Sequence, residues 1–165
     1  MRRRDEEAFR AFVVERQTVL RRRAFLLCGN WADGDELVQE ALTRVYVAWP
    51  RIGSGAEMAY TRRTMLNLHL NDQRKRRREV LTDTTPEAPM AGPDQELAMT
   101  LAELLKGLPD RQRAVLVLRF WEDLTVPQIA EATGVPEGTI KSQISRGLAS
   151  MRERLAEPPL TGAVT

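Results

Sequence analysis

Five consecutive cations, Arg74, Lys75, Arg76, Arg77 and Arg78, stand near the end of the stretch NLHLNDQRKRRREV at residues 67–80. Such side chains neutralise phosphates, and a dense row of them suits a polyanion. An acidic protein, an anionic membrane or plain solvent could face the same run. The membrane option is the weakest, because no Trp or Phe is interleaved with the cations. A second candidate set lies in LTVPQIAEATGVPEGTIKSQISRGLASMRERL. At about 100° per residue, Thr139, Ser142, Ser145 and Arg146 share one side of a helix, with Lys141 on its flank. Small hydrogen-bonding groups plus two cations suit a helix that enters a major groove, although a solvated bundle helix can carry a similar face.

Enzyme chemistry finds little to work with. No carboxylate cluster has metal-ligand spacing, no glycine-rich loop could cradle a phosphate, and no Ser/His pairing is credible. Cys28 is the single cysteine, which excludes an intramolecular disulfide. Its place in the apolar run AFLLC predicts a buried, inert thiol. His69 is the single histidine and is expected to pack or to face solvent, with no Cys/His dyad. Neither a catalytic residue nor a metal ligand nor a cofactor is expected.

The elements that must position these groups read as helices almost throughout. Phe9, Phe12, Val13, Leu20, Ala24 and Leu27 form one apolar stripe, which Gly29 and Asn30 end. Asp33 and Glu36 have the spacing of a capping box, predicting a helix that begins at Asp33. Behind them Leu37, Ala41, Val45 and Trp49 recur every fourth residue, until Pro50, Gly53 and Gly55 break the pattern. A third helix is predicted from about Glu57 into the basic run. The segment TDTTPEAPMAGPD, residues 82–94, has the composition of a linker. Beyond it Leu97, Leu101, Leu104, Leu105 and Leu108 form another stripe, interrupted by Gly107 and Pro109. Asp110 suits the start of the next helix. Thr125 and Gln128 make a T-x-x-Q capping box, Gly134 sits where a left-handed residue is needed, and Pro136 can open the following helix. Two helices joined by so short a glycine turn are a helix-turn-helix. In its second helix Ile140, Ile144, Leu148, Met151 and Leu155 are expected to face inward.

Composition agrees with two small all-α domains. A hydrophobic fraction of 42% and a charged fraction of 29% exclude a disordered chain. The net charge of +2 hides an asymmetry, a balance of +6 over residues 1–80 and −4 over residues 81–165. The basic front half points to a polyanionic partner. No apolar run approaches the roughly 20 residues of a membrane span, and MRRRDEEAFR lacks the apolar core of a signal peptide. A cytoplasmic protein is expected.

Three motifs together, ADGDELVQEALTRVYVAW, AYTRRTMLNLHLNDQRKRRRE and LPDRQRAVLVLRFWEDLTVPQIAEATGVPEGTIKSQISRGLASMRERL, resemble those of extracytoplasmic-function (ECF) sigma factors, the sigma-70 family of bacterial RNA polymerase, in a SigE-like subgroup. The resemblance spans roughly residues 5–155. It implies sigma region 2 at 5–80, a linker at 81–95 and sigma region 4 at 96–156. It also implies an initiation factor that binds core polymerase and recognises −35 and −10 promoter elements, in a stress or envelope response. Asp35, Glu36, Leu37, Gln39 and Glu40 would dock on the basic clamp helices of the β′ subunit. Arg62, Arg63, Asn67, Asn71, Asp72, Arg74, Lys75, Arg76, Arg77 and Arg78 would hold the −10 DNA, although many relatives carry Asp where Asn71 stands. Gly138, Thr139, Lys141, Ser142, Ser145 and Arg146 match the −35 positions. Arg111, Arg113 and Phe120 would hold the β flap, and Asp83, Glu87 and Asp94 would lie on a linker threading the polymerase. An anti-sigma factor is a further partner the resemblance admits. Charge reversal at Asp35 and Glu40 is expected to leave the fold intact.

Two other readings compete with this one. An ordinary helix-turn-helix regulator could use the back half alone, but the front half is a helical domain with a basic end rather than an α/β receiver. A nuclease or nucleotidyl transferase would need the metal site that the spacing does not supply.

Overall fold

The computed structural model describes residues 1–76 and 93–156, with side chains described for 1–71 and 95–156. Among them are seven α-helices and no strand: α1 (Arg3–Cys28), α2 (Trp31–Ala48), α3 (Glu57–Arg76), α4 (Pro93–Leu105), α5 (Asp110–Leu116), α6 (Val126–Thr133) and α7 (Glu137–Ala156). The all-α expectation holds. The chain forms two compact units, Met1–Glu103 and Leu104–Thr165. No described helix is long and apolar enough to cross a membrane.

In the first unit α1 packs on α2 and α2 on α3. Leu20, Ala24, Leu26, Leu37, Ala41, Val45, Met65 and Leu66 are buried in its core. Gly29 ends α1 in the left-handed region at φ 82°, its N–H bonded to the carbonyl of Phe25. The cap of α2 lies three residues earlier than the sequence suggests. Asn30, not Asp33, is the N-cap, accepting from the Asp33 N–H at 2.8 Å, while its amide donates to the Asp33 carboxylate, also at 2.8 Å. The added turn puts Trp31 inside the helix, where it is buried and stacked on Phe25 with ring centroids 4.2 Å apart. At the other end of α2, Phe9 meets Tyr46 and Trp49 edge-on, and Phe12 also reaches Trp49.

The second unit is built on α5 against α7 and α6 against α7. Gly107 turns the chain at φ 81°, and Arg113 closes this corner by donating to the carbonyls of Leu105 (3.3 Å) and Leu108 (3.2 Å). Arg154 of α7 donates to the carbonyl of Leu104 at 3.2 Å. After Leu116 the chain runs on as a π-helical turn, Val117–Trp121, which no periodicity in the sequence announces. Two leucines expected inside are outside. Leu97 is 59% exposed, because Ala98, Ala102 and Leu105 make the buried side of α4, and Leu155 is 67% exposed near the end of α7.

Candidate nucleic-acid interface and docking face

The helix-turn-helix is assembled by its caps. Thr125 and Gln128 close a reciprocal capping box at the start of α6: the Gln128 N–H donates to the Thr125 hydroxyl at 3.3 Å and the Thr125 N–H to the Gln128 side chain at 2.9 Å. Gly134 ends α6 at φ 70°, with its N–H on the carbonyl of Ala130. The Pro136 carbonyl accepts the Ile140 N–H, so Pro136 stands just ahead of α7 and Glu137 is its first residue. Ile129 and Ile140 are fully buried, and α6 packs on α7. Ile144, Leu148 and Met151 are half-buried. With that side of α7 turned inward, Gly138, Thr139, Lys141, Ser142, Ser145 and Arg146 are all exposed. They form one surface of small polar groups and cations. Within the π-helical turn Phe120 is 56% exposed with the Arg119 guanidinium 5.6 Å from its ring centre. Arg111 is exposed, whereas Arg113 is committed to the backbone carbonyls at the Gly107 corner.

On α3 the register separates residues that look equivalent in the sequence. Thr61, Met65, Leu66, Leu68 and His69 are buried, whereas Arg63, Asn67 and Asn71 are exposed at spacings of four. Arg62 falls on the inner side and is half-buried. Burial lowers its pKa. Next to it, Arg23 of α1 is 5% exposed, with its pKa pulled down to about 9 by burial first and by the Arg62 charge second. At about 9 the Arg23 guanidinium remains protonated at neutral pH, and Arg62 stands on the packed side of the helix that displays Arg63. Tyr60, 41% exposed, heads the stripe of Arg63, Asn67 and Asn71. Sequence reasoning passed over it, although its spacing of three and seven residues from Arg63 and Asn67 places it on that stripe. Asp72, Arg74, Lys75 and Arg76 lie on the last turns of α3, of which only the backbone is described. Arg77, Arg78, Asp83 and Glu87 lie outside the described residues, and Asp94 stands in the first turn of α4.

The candidate docking residues of α2 divide in the same way. Glu36, Gln39 and Glu40 are exposed, while Leu37 is 5% exposed and belongs to the core. Asp35 is gripped by Arg21 of α1, Nε donating to Oδ1 at 2.7 Å and Nη2 to Oδ2 at 3.0 Å. This carboxylate raises the Arg21 pKa, mainly through the hydrogen bond. One pairing was not foreseen: the Cys28 Sγ lies 3.7 Å from the buried His69 Nδ1. Cys28 is half-buried rather than enclosed, and the fold brings together two residues 41 positions apart.

A helix-turn-helix unit and a second helical unit whose exposed stripe carries Arg63, Asn67 and Asn71 have the make-up of a two-part nucleic-acid-binding protein. The Sigma-70 region 2 model matches residues 12–79 and the Sigma-70, region 4 model matches residues 98–151. The chain is 38% identical over 151 residues to the RNA polymerase sigma-E factor of Streptomyces coelicolor, covering 89% of this chain and 85% of that protein. It is 25% identical to the ECF RNA polymerase sigma factor SigW of Bacillus subtilis, covering 93% and 91%. Its fold is similar to that of the sigma factor RpoE of Bartonella quintana, solved in complex with the anti-sigma factor NepR: TM-score 0.70, 23% identity, 90% of this chain and 97% of that one. The chain belongs to the sigma-70 family of RNA polymerase sigma factors, in its ECF group.

Proposed function

We propose that the chain is a promoter-specificity factor that binds core RNA polymerase, recognises −35 and −10 promoter elements and promotes initiation of transcription. The observation that carries this reading is the exposed polar and basic side of α7, held outward by the capped α6, the Gly134 turn and the burial of Ile129 and Ile140. A helix so mounted can lie in a major groove. Residues 96–156 would read the −35 element and residues 5–80 would hold the −10 DNA and the polymerase, with 81–95 as the tether. On α3, Arg63 would meet phosphates, while Asn67 and Asn71 would hydrogen-bond base edges of an opened strand. On α2, Glu36, Gln39 and Glu40 would meet the cationic clamp helices, and Phe120 and Arg111 would meet the flap.

The factor is not itself a catalyst in this reading, since core polymerase makes the phosphodiester bonds. It acts beside the polymerase in the cytoplasm, and an anti-sigma factor is a partner of the kind the family admits. In vitro transcription with core enzyme and a randomised promoter library tests the function. Expected is enrichment of two short elements at fixed spacing, and transcription no better than with core alone would refute the reading.

A further inference from the structure

Two carboxylates of α2 are paired within the protein, and the two pairs differ in kind. Arg21 holds Asp35 through two parallel hydrogen bonds. Its guanidinium also lies 5.6 Å from the ring centre of Trp31, which is stacked on Phe25. Fixed on both sides, Arg21 leaves Asp35 no exchange partner at low cost. Arg44 and Glu40 instead meet through one contact of 2.9 Å, one helical turn apart, with 60% and 45% of their side chains exposed. Pairs of that kind are weak and open readily to solvent.

Glu36, Glu40, Thr43 and Val47 fall within about 60° of one another around α2, and all four are exposed, Val47 at 67%. This is the outermost line of the helix. Arg44 stands on its flank, about 40° from Glu40.

We propose that Arg44 is an affinity-setting residue of this face: it occupies Glu40 in the free protein and is displaced when a cationic side chain of core polymerase takes its place. The inference rests on the docking reading of α2 given above. Binding then exchanges one ion pair for another and brings the Arg44 charge close to a second cation. The face therefore favours a partner that places a cation well and rejects one that is merely basic, because only the former regains the pair that is opened. Asp35 takes no part, since its two-bond pair with Arg21 is harder to open than the single Arg44–Glu40 contact.

The test is a thermodynamic cycle on core-polymerase binding by the full chain, using Arg44→Ala, Glu40→Gln and the double variant, at low and at moderate salt. Expected at low salt is tighter binding by Arg44→Ala, roughly two- to fivefold, with the gain shrinking as the salt rises. Glu40→Gln should weaken binding, and the gain from Arg44→Ala should be smaller in that background. Thermal midpoints of all variants, and Arg44→Gln as a second substitution, separate docking from folding. Unchanged or weaker binding by Arg44→Ala, with Glu40→Gln still impaired, would overturn the proposal and leave the docking reading standing. Equal gains in both backgrounds would reduce Arg44 to simple charge repulsion and also overturn it. If Glu40→Gln bound as tightly as the parent, the docking of Glu40 would fall, and the proposal with it.

Discussion

Gly147 of α7 lies so close to Leu116 of α5 that a Cβ on the glycine would stand 2.8 Å from Leu116 Cδ1. Gly147 and Leu116 are both buried, Leu116 at 3% exposure, so the leucine has little room to retreat. Gly147→Ala gains about 1 kcal/mol of helix propensity but overpacks a site where such changes cost about 1–3 kcal/mol. A net loss near 1 kcal/mol is expected in urea denaturation, and Leu116→Val should reduce it by making space. An equal cost in both backgrounds would mean that the contact does not limit the packing.

The Arg21–Asp35 pair changes what charge reversal on α2 should do. Asp35→Lys removes a bidentate contact and sets a second cation against Arg21. The expected loss is about 1–2 kcal/mol of stability, moderated by the exposure of the carboxylate. Glu40→Lys should stay within about 0.5 kcal/mol of the parent. Denaturation curves of the two single variants check this difference. The two sites are therefore unsuited to being reversed together as a docking test.

Arg62 and Arg63 are neighbours with opposite surroundings. Arg63→Ala should weaken promoter binding about equally across sequences and flatten its salt dependence, by up to about 0.9 in log–log slope for one duplex phosphate contact. Arg62→Ala should instead act on folding, because its guanidinium stands on the packed side beside Arg23. Salt titrations of holoenzyme on promoter DNA, set beside melting curves, distinguish the two. Matching salt slopes for both variants would count against the register of α3 as the organiser of this face.

Arg146 is exposed on the candidate −35 surface. If it pairs with a guanine, Arg146→Ala should cost about 1–3 kcal/mol at one base position and relax preference only there. Selection on randomised −35 DNA, scored position by position, is the measurement. A loss spread evenly over all sequences would assign Arg146 to the phosphates instead.

Much of this architecture is legible in the residues because caps and periods are local signals. Thr125, Gln128 and Gly134 declare the helix-turn-helix, since each has a short-range job that few other residue types do. The apolar stripe of α1 likewise declares its inner side. Signals that depend on tertiary partners were not legible. Asn30 won the cap of α2 from Asp33 because Trp31 gains a stacking partner on another helix. The stripe of α4 holds at Leu105 and Leu108 but not at Leu97, because Ala98 and Ala102 share the inner side and turn Leu97 outward. Arg62 and Arg63 look alike until the register of α3 is known. Cys28 and His69 stand too far apart in the chain for spacing to connect them.

That last pair gives the chain a built-in reporter. Cys28 is the single sulfhydryl and sits half-covered at the end of α1, against an imidazole of the helix that carries the candidate −10 face. An alkylating reagent reaches the half-covered thiol directly, and faster when those two helices part. Its rate of modification therefore times their breathing. Slower labelling when promoter DNA is bound would register, without any engineered probe, how firmly the nucleic acid clamps that joint shut.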